Sequence, residues 1–518
     1  MRYRLLFLFV LVQLAGSVYG QATTRIFPNR QSQPGFKATH IRGVVELGGM
    51  ISDVAQTPFW LRTNQYGIAP LGGSAGTLRA SVFHDYQPDS IIHSVQKKPR
   101  SRFDWGFGLS VVGNRGPVDL VNENLNDARQ LLWPEVFAKV RFGQFELFAG
   151  RRREVYGLGD TTLTSGFVAW SGNALPFPKV QLHTPSFVPV KWLRNSVAFR
   201  VGYAHGWFTQ PNIQGAMLHQ KYLYLRFGKP TAKLTFTTGL NHQAQWGGRA
   251  DYLRNTIYSV DGQLPESFRD YVSVILAKYP EAFANDRFTE FDGSNRVGNH
   301  VGSIDFAFDW KNDRHSWQLY HQHIYEDASG IAFQNLPDGL TGLRWLNRKS
   351  TGSGTFKLRR LLVEWLTTTN QSGNTFDLAR TFQGRDNYFN HGQYVQGWSY
   401  QGRSIGTPFI APRTTFTQAV NANEGGGFFP NNRLVMWYAG AEAQVKTVQL
   451  TARVAWSRNF GGYDQSFPAV YPQTSAMLAG QGKLPRLPNV WLTASLALDR
   501  GELYPNTIGG FISVQKRW

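Results

Sequence analysis

Apolar and polar residues take turns along much of this chain. From Arg102 to Val111 the apolar Phe103, Trp105, Phe107, Leu109 and Val111 alternate with Arg102, Asp104, Gly106, Gly108 and Ser110. Only a strand places successive side chains on opposite faces, so this period of two predicts β-strands with one apolar face and one small or polar face. The same pattern recurs from Val197 to Trp207, Leu234 to His242, Ile304 to Trp310, Val448 to Trp456 and Val490 to Leu498. Each stretch has roughly the ten residues a tilted strand needs to cross the hydrocarbon of a membrane. A soluble β-sandwich also alternates, but its strands do not continue through so long a chain without a break suggesting domains. At about 25 to 30 residues per strand and loop, the chain holds roughly 16 to 20 strands.

The two ends support export and membrane insertion. Residues 1–20 read as a secretory signal: Arg2 and Arg4 give the positive start, Leu5 to Leu14 the apolar run, and Val18 and Gly20 the small residues before a cut near Gln21. Residues 21–518 are then expected to form a single barrel domain. No later apolar run is long enough for a membrane-spanning helix. At the other end Ile512, Val514 and the aromatic Trp518 share one face of a last strand. Phe268, Tyr271, Ile275 and Leu276 at helical spacing predict an amphipathic helix within Pro265 to Phe288, packed on the barrel or its mouth. A weaker helix is expected from Asn122 to Leu132, ended by Pro134. The polar stretches Arg249 to Gln263, Gln371 to Gln383 and Asn421 to Asn432 read as large loops.

Composition sharpens this reading. The 518 residues include 53 Gly, 37 Phe, 21 Tyr and 16 Trp, a mixture suited to lipid-facing aromatic girdles around a wet lumen. There is no cysteine, which excludes disulfides, thiolate zinc sites and cysteine nucleophiles. A net charge of +20 favours anionic partners. For an exported chain these are acidic polysaccharides, outer-membrane lipid and lipopolysaccharide phosphates, and not nucleic acid.

Candidate chemistry lies in a few segments. Arg151, Arg152 and Arg153 stand together after a strand; guanidinium groups grip carboxylates or phosphates through paired hydrogen bonds, so they form either an anion site or a salt-bridge ladder with Glu146, Glu154 and Asp160. His321 and His323 share one strand face, but no third ligand for zinc is evident, so no metal or other cofactor is expected and a lumenal network or glycan contact is preferred. Arg385, Asn387, Tyr388, Asn390 and His391, in GRDNYFNHGQY, are the types a sugar site uses: amides and guanidinium for hydroxyls, rings for the apolar sugar face. His242 and Trp246, and Trp170 and Asn173, come from two segments of the same mixture. Such residues also make well-knit loops. No G-x-S-x-G elbow or nucleotide-binding glycine loop is present, and Glu326 and Asp327, being adjacent, point to opposite faces of a strand and make a poor glycosidase pair.

Several motifs, in order, resemble the capsule assembly protein Wzi family in its Bacteroidetes form: PFWLRTNQYG (Pro58 to Gly67), FELFAGRRREVYGLGD (Phe145 to Asp160), RVGNHVGSIDFAF (Arg296 to Phe308), LYHQHIYED (Leu319 to Asp327), NLPDGLTGL (Asn335 to Leu343), LRRLLVEW (Leu358 to Trp365) and GRDNYFNHGQY (Gly384 to Tyr394). The resemblance runs from about Val44 to the C-terminus. It implies an all-β fold, a transmembrane antiparallel β-barrel of about eighteen strands in the outer membrane, with a few short helices in loops or plugging the lumen. It also implies a lectin that helps hold capsular polysaccharide at the cell surface, without catalysis. No binding residue is carried over from the family. The expectation is therefore a monomeric, non-enzymatic barrel that binds capsule or exopolysaccharide through the fourteen candidates named above. An oligosaccharide porin or export channel is the alternative.

Overall fold

Strands whose two faces differ can hide every backbone hydrogen-bonding group only if the sheet closes on itself, and this one does. The computed structural model describes residues 41–86, 103–116, 129–279, 286, 289–349, 355–377, 382, 384–421 and 427–518; the expected signal segment lies outside them. Eighteen strands pair antiparallel, each with its neighbour in the chain. They are β1 (Ile41–Ser52), β2 (Ala75–His84), β3 (Phe103–Arg115), β4 (Arg129–Phe142), β5 (Phe145–Arg151) and β6 (Pro178–His183); β7 (Val197–Trp207), β8 (Met217–Phe227), β9 (Leu234–Trp246), β10 (Asn299–Lys311), β11 (His315–Tyr325) and β12 (Gly339–Asn347); and β13 (Phe356–Thr367), β14 (Arg433–Val445), β15 (Val448–Gly461), β16 (Ser466–Lys483), β17 (Val490–Gly501) and β18 (Thr507–Arg517). A two-residue segment, Val188–Pro189, adds to β7. Leu47 of β1 lies opposite both Leu78 of β2 and Val514 of β18, and this double pairing closes the barrel.

The predicted strands appear where alternation was clearest, and β7 has the predicted bounds. The helix expected at Asn122 to Leu132 does not form over its described part. Residues 129–132 open β4, and Pro134 falls where the register against β3 shifts between Ser110 and Val112. Pairing with β3 overrides the local helical spacing, and an irregular step is where a strand tolerates proline. Residues 122–128 lie outside the described part. The helix expected within Pro265 to Phe288 spans Phe268–Leu276.

The outward face of the wall is largely apolar and exposed: Leu147, Leu182, Leu223, Leu240, Leu319 and Leu478 all point outward. Water does not tolerate so continuous an apolar surface; lipid does. Tryptophans stand in register on this face, Trp310 beside Trp317 beside Trp345, and Trp365 beside Trp437 beside Trp456. Such rows suit the aromatic belts at membrane interfaces. No described helix is long and apolar enough to cross a membrane; the strands do so. Two-residue turns such as 143–144 and 446–447 mark one end, and long connections such as 247–298 and 368–432 mark the other. Short turns face the periplasm and long loops the exterior.

Candidate functional site

Three connections from the extracellular end fold back into the barrel: residues 53–74, which carry the short helix α1 (Phe59–Arg62), 152–177, and part of 368–432. Their apolar side chains have nowhere to go but inward. Trp60, Phe167, Trp398 and Phe389 are buried in one core with the inward-facing wall residues Tyr222, Tyr320 and Tyr438. A water-filled channel would leave those wall residues wet. The second and third connections are stitched along a seam, where Trp398 donates to the Ala169 carbonyl at 2.9 Å, Ser171 to Gly406 at 2.6 Å and Thr407 N–H to Val168 at 3.0 Å. Arg403 ties the third to the first through the Arg62 carbonyl at 3.0 Å.

The wall supplies acceptors for the plug's orphan backbone donors. Gln322 accepts Val168 N–H at 3.0 Å, Asp305 accepts Leu158 N–H at 3.0 Å, and Asp499 accepts Phe59 N–H at 2.8 Å. Polar lumenal residues here anchor protein and do not line an open path. Towards the periplasm, inward-facing Arg200, Arg226, Asp309 and Arg344 are only half-buried.

Of the two readings of the arginine triplet, the structure favours the ladder. Arg152 is buried, paired with Glu146 and with Glu154 at 2.6 Å, and its guanidinium lies 3.8 Å from the Phe148 ring centre. Arg153 faces Glu135 at 3.7 Å, and Arg151 donates to the Tyr400 hydroxyl at 3.3 Å. Asp160 pairs with Arg360 instead of joining this ladder. Trp170 and Asn173 are buried in the plug seam, with Asn173 donating to the Ser404 carbonyl at 3.1 Å. Arg152, Trp170 and Asn173 are thus buried inside the molecule, whereas Arg151 and Arg153 stay partly exposed.

The loop 384–392 is different, because it reaches the extracellular surface. Arg385, Asp386, Asn387, Asn390 and His391 are all partly exposed there. Arg385 pairs with Asp464, from the turn between β15 and β16, and the other oxygen of Asp464 accepts Asn387 at 3.2 Å. Beside them Arg433 lies 3.8 Å from the Tyr463 ring centre. Tyr388 turns inward, buried, donating to Asp338 at 3.0 Å and accepting from Asn335 at 2.7 Å, so it anchors the loop. Asp386 accepts Ser372 at 2.8 Å; burial, and then the charge of Asp327, push its carboxyl up to about 7. Burial holds the His391 imidazole well below its ordinary range, so it stays neutral. The rim thus presents guanidinium, amides, a carboxylate and an aromatic ring on a backbone fixed from beneath.

The sequence profile described as capsule assembly protein Wzi matches residues 121–421, more than half of the chain. The chain belongs to the capsule assembly protein Wzi family. That match contains the plug segment 152–177 and the rim loop 384–392. Among solved structures, the barrel is similar to Wzi of Escherichia coli, described as an outer membrane protein involved in group 1 capsule assembly and a carbohydrate-binding β-barrel. The two share 15% identity, the comparison covers 91% of this chain and 83% of that one, and the TM-score is 0.54. OccAB4 of Acinetobacter baumannii (9% identity, 92% and 97% covered, TM-score 0.43) and OpdL of Pseudomonas aeruginosa (10%, 92% and 98%, 0.43) are also similar. No curated protein matches the sequence. As a Wzi-family barrel, the protein resides in the outer membrane.

Four candidates of this Wzi-family chain sit outside the barrel and not in its lumen. His242 and Trp246 share the outward face of β9 with Leu240, and His321 and His323 share that of β11 with Trp317 and Leu319. His242 is hydrogen-bonded to His300 at 2.8 Å, His323 to the Gly330 carbonyl at 2.9 Å, and His321 to Thr341 at 2.9 Å. Among the described residues, no group of three or more His, Asp or Glu is placed to hold a metal. The rim residues Asp464, Tyr463 and Arg433 escaped the sequence reading, since nothing local marks a short turn as the partner of a loop 79 residues away.

Proposed function

We propose that this protein is a non-enzymatic lectin that holds an acidic capsular or extracellular polysaccharide at its extracellular rim and so helps assemble or attach that polymer at the cell surface. The observation that carries the reading is the loop 384–392: Arg385, Asn387 and Asn390 are presented to the exterior over a lumen filled by the chain's own plug. Guanidinium and amide groups suit the carboxylates and hydroxyls of an acidic sugar chain. A net charge of +20 draws such a polymer in, and its repeats supply avidity where each contact is weak. Family membership and the description of the Escherichia coli relative support the same role. A conducting porin needs a continuous wet path, and the buried lumenal tyrosines argue for the lectin instead. The protein acts as a monomer among lipopolysaccharide neighbours.

The test is direct binding. Full-length protein in detergent is passed over immobilised polysaccharide from its own strain, beside the variant R385A/N387A. Retention of the wild type, weakened about tenfold in the variant, is expected, in line with the loss of a charge-assisted contact. Absence of wild-type binding, or equal binding by both, would overturn the proposal.

A further inference from the structure

The long connection between β9 and β10 carries a nine-residue helix, α2 (Phe268–Leu276), and this helix lies against the outside of the barrel wall. Beneath it the lipid face changes character. Along β7, β8 and β9 the outward positions run apolar from the periplasmic end, through Phe199, Leu223 and Leu240, and then become His205, His219, Lys221 and His242. Bare imidazoles and an ammonium facing acyl chains are costly. The helix covers them: Tyr271 stacks on Trp246 at 4.8 Å, packs edge-on to His205 and His219, and shares a hydrogen bond of 2.7 Å with Tyr203. Val274 is buried against Ala244, Trp246 and Val297.

A helix this short does not persist alone in water; here both ends are fastened. Ser267 and Asp270 form a reciprocal capping box. At the C-terminus Lys221 donates to the Ile275 carbonyl and Arg296 to the Ala277 carbonyl at 2.8 Å, placing positive charge at the negative end of the helix dipole. With its inner face spent on the wall, α2 turns Phe268, Val272 and Leu276 outward, one turn apart, with Phe268 80% and Leu276 52% exposed. An amphipathic helix that covers polar wall and shows apolar side chains outward restores the lipid-facing surface where the strands lose it.

We infer that α2 is an interfacial helix whose Phe268, Val272 and Leu276 stripe is embedded in the acyl chains of the outer leaflet. The stripe continues the lipid face of the wall directly below it, at Tyr203, Leu223 and Leu240, and that continuity identifies lipid as the occupant. Lys221 of the wall and Arg296 of the connection, at its C-terminal end, suit the depth of phosphorylated headgroups.

The chain has no cysteine, so single cysteines report without interference. V272C and L276C, each in the full chain, are labelled with a fluorophore and reconstituted in phosphatidylcholine vesicles. L240C on the bare wall and I257C, at a 72% exposed loop position, serve as references. Quenching by a phospholipid carrying a nitroxide on its acyl chain is compared with quenching by aqueous iodide. For V272C and L276C the expected lipid quenching is within about twofold of L240C, with iodide quenching several-fold below I257C. Iodide quenching equal to that of I257C would overturn the inference by showing the stripe in water. Shielding from both quenchers would also overturn it, by showing that protein and not lipid covers the helix.

Discussion

The carboxylate of Glu364, on the inner face of β13, accepts the backbone N–H of Ser165 at 2.6 Å. Its other oxygen accepts the Thr164 hydroxyl at 2.7 Å and the Tyr320 hydroxyl. One buried wall acid therefore satisfies three donors, two of them from the plug. Replacing it with alanine strands those donors, at about 1–3 kcal/mol each where they stay buried. E364A is expected to insert normally yet lose protease protection across residues 152–177, while E364Q, which keeps acceptor capacity, loses less. Unchanged protection in E364A would show that the wall does not hold the plug.

Gly406 marks the plug seam. A Cβ there would stand 2.2 Å from the Val168 carbonyl oxygen and 2.4 Å from the Phe389 ring, and neither neighbour has room to retreat. G406A is expected to part the seam. In planar bilayers the wild type should carry little current and G406A should open frequent, flickering conductance. A wild type already as conductive as an open porin would contradict the sealed lumen.

Much of the wall was legible because its periodicity is unbroken. In β7 outward Phe199, Tyr203 and Trp207 alternate with inward Ala198, Gly202 and Ala204, and the strand could be read to its ends. The plug could not, since Phe59, Trp60 and Trp398 lie in segments without a period and their partners are remote: Trp398 and Ala169 are 229 residues apart. The structure turns the candidate histidines outward. The parity of His242 with Leu240, and of His323 with Leu319, already placed them on the apolar face, but imidazoles in a sugar-like mixture suggested a ligand. Of the candidate segments, the loop 384–392 lies at the extracellular rim, and Asp464, its partner, is visible only in three dimensions.

Asp386 gives the rim a pH dependence with a defined sign. Its folded value of about 7 lies above the ordinary 3.8, so between those values the folded loop keeps a proton that the unfolded loop has lost. Its contribution to loop stability is therefore full below about pH 4, falls as pH rises through 7, and is flat beyond. Protease protection of the loop around Asp386 is expected to be greater at pH 5 than at pH 8. D386N should remove most of that slope. Protection that rises with pH, or an undiminished slope in D386N, would contradict the assignment.

Arg385 and Asp464 should act oppositely on an acidic polymer. Asp464 occupies the guanidinium proposed to grip the polymer, with the Arg385 and Asp464 side chains 35% and 57% exposed. R385A should weaken binding about tenfold, whereas D464A, which frees the guanidinium, should tighten it a few-fold. Both effects should shrink in about 0.5 M salt, where charges at the surface are screened. Equal weakening by both substitutions would mean that the pair matters only for the shape of the loop.

The most direct measurement concerns the cells that make the polymer. A strain lacking this protein is complemented with wild type or with R385A/N387A/N390A at equal surface abundance, and polysaccharide is quantified on washed cells and in the medium. Total polysaccharide is expected to be unchanged, with most of it shed from the deletion and rim-variant strains and most retained by the wild-type complement. Equal retention by all three would contradict a role in holding the polymer.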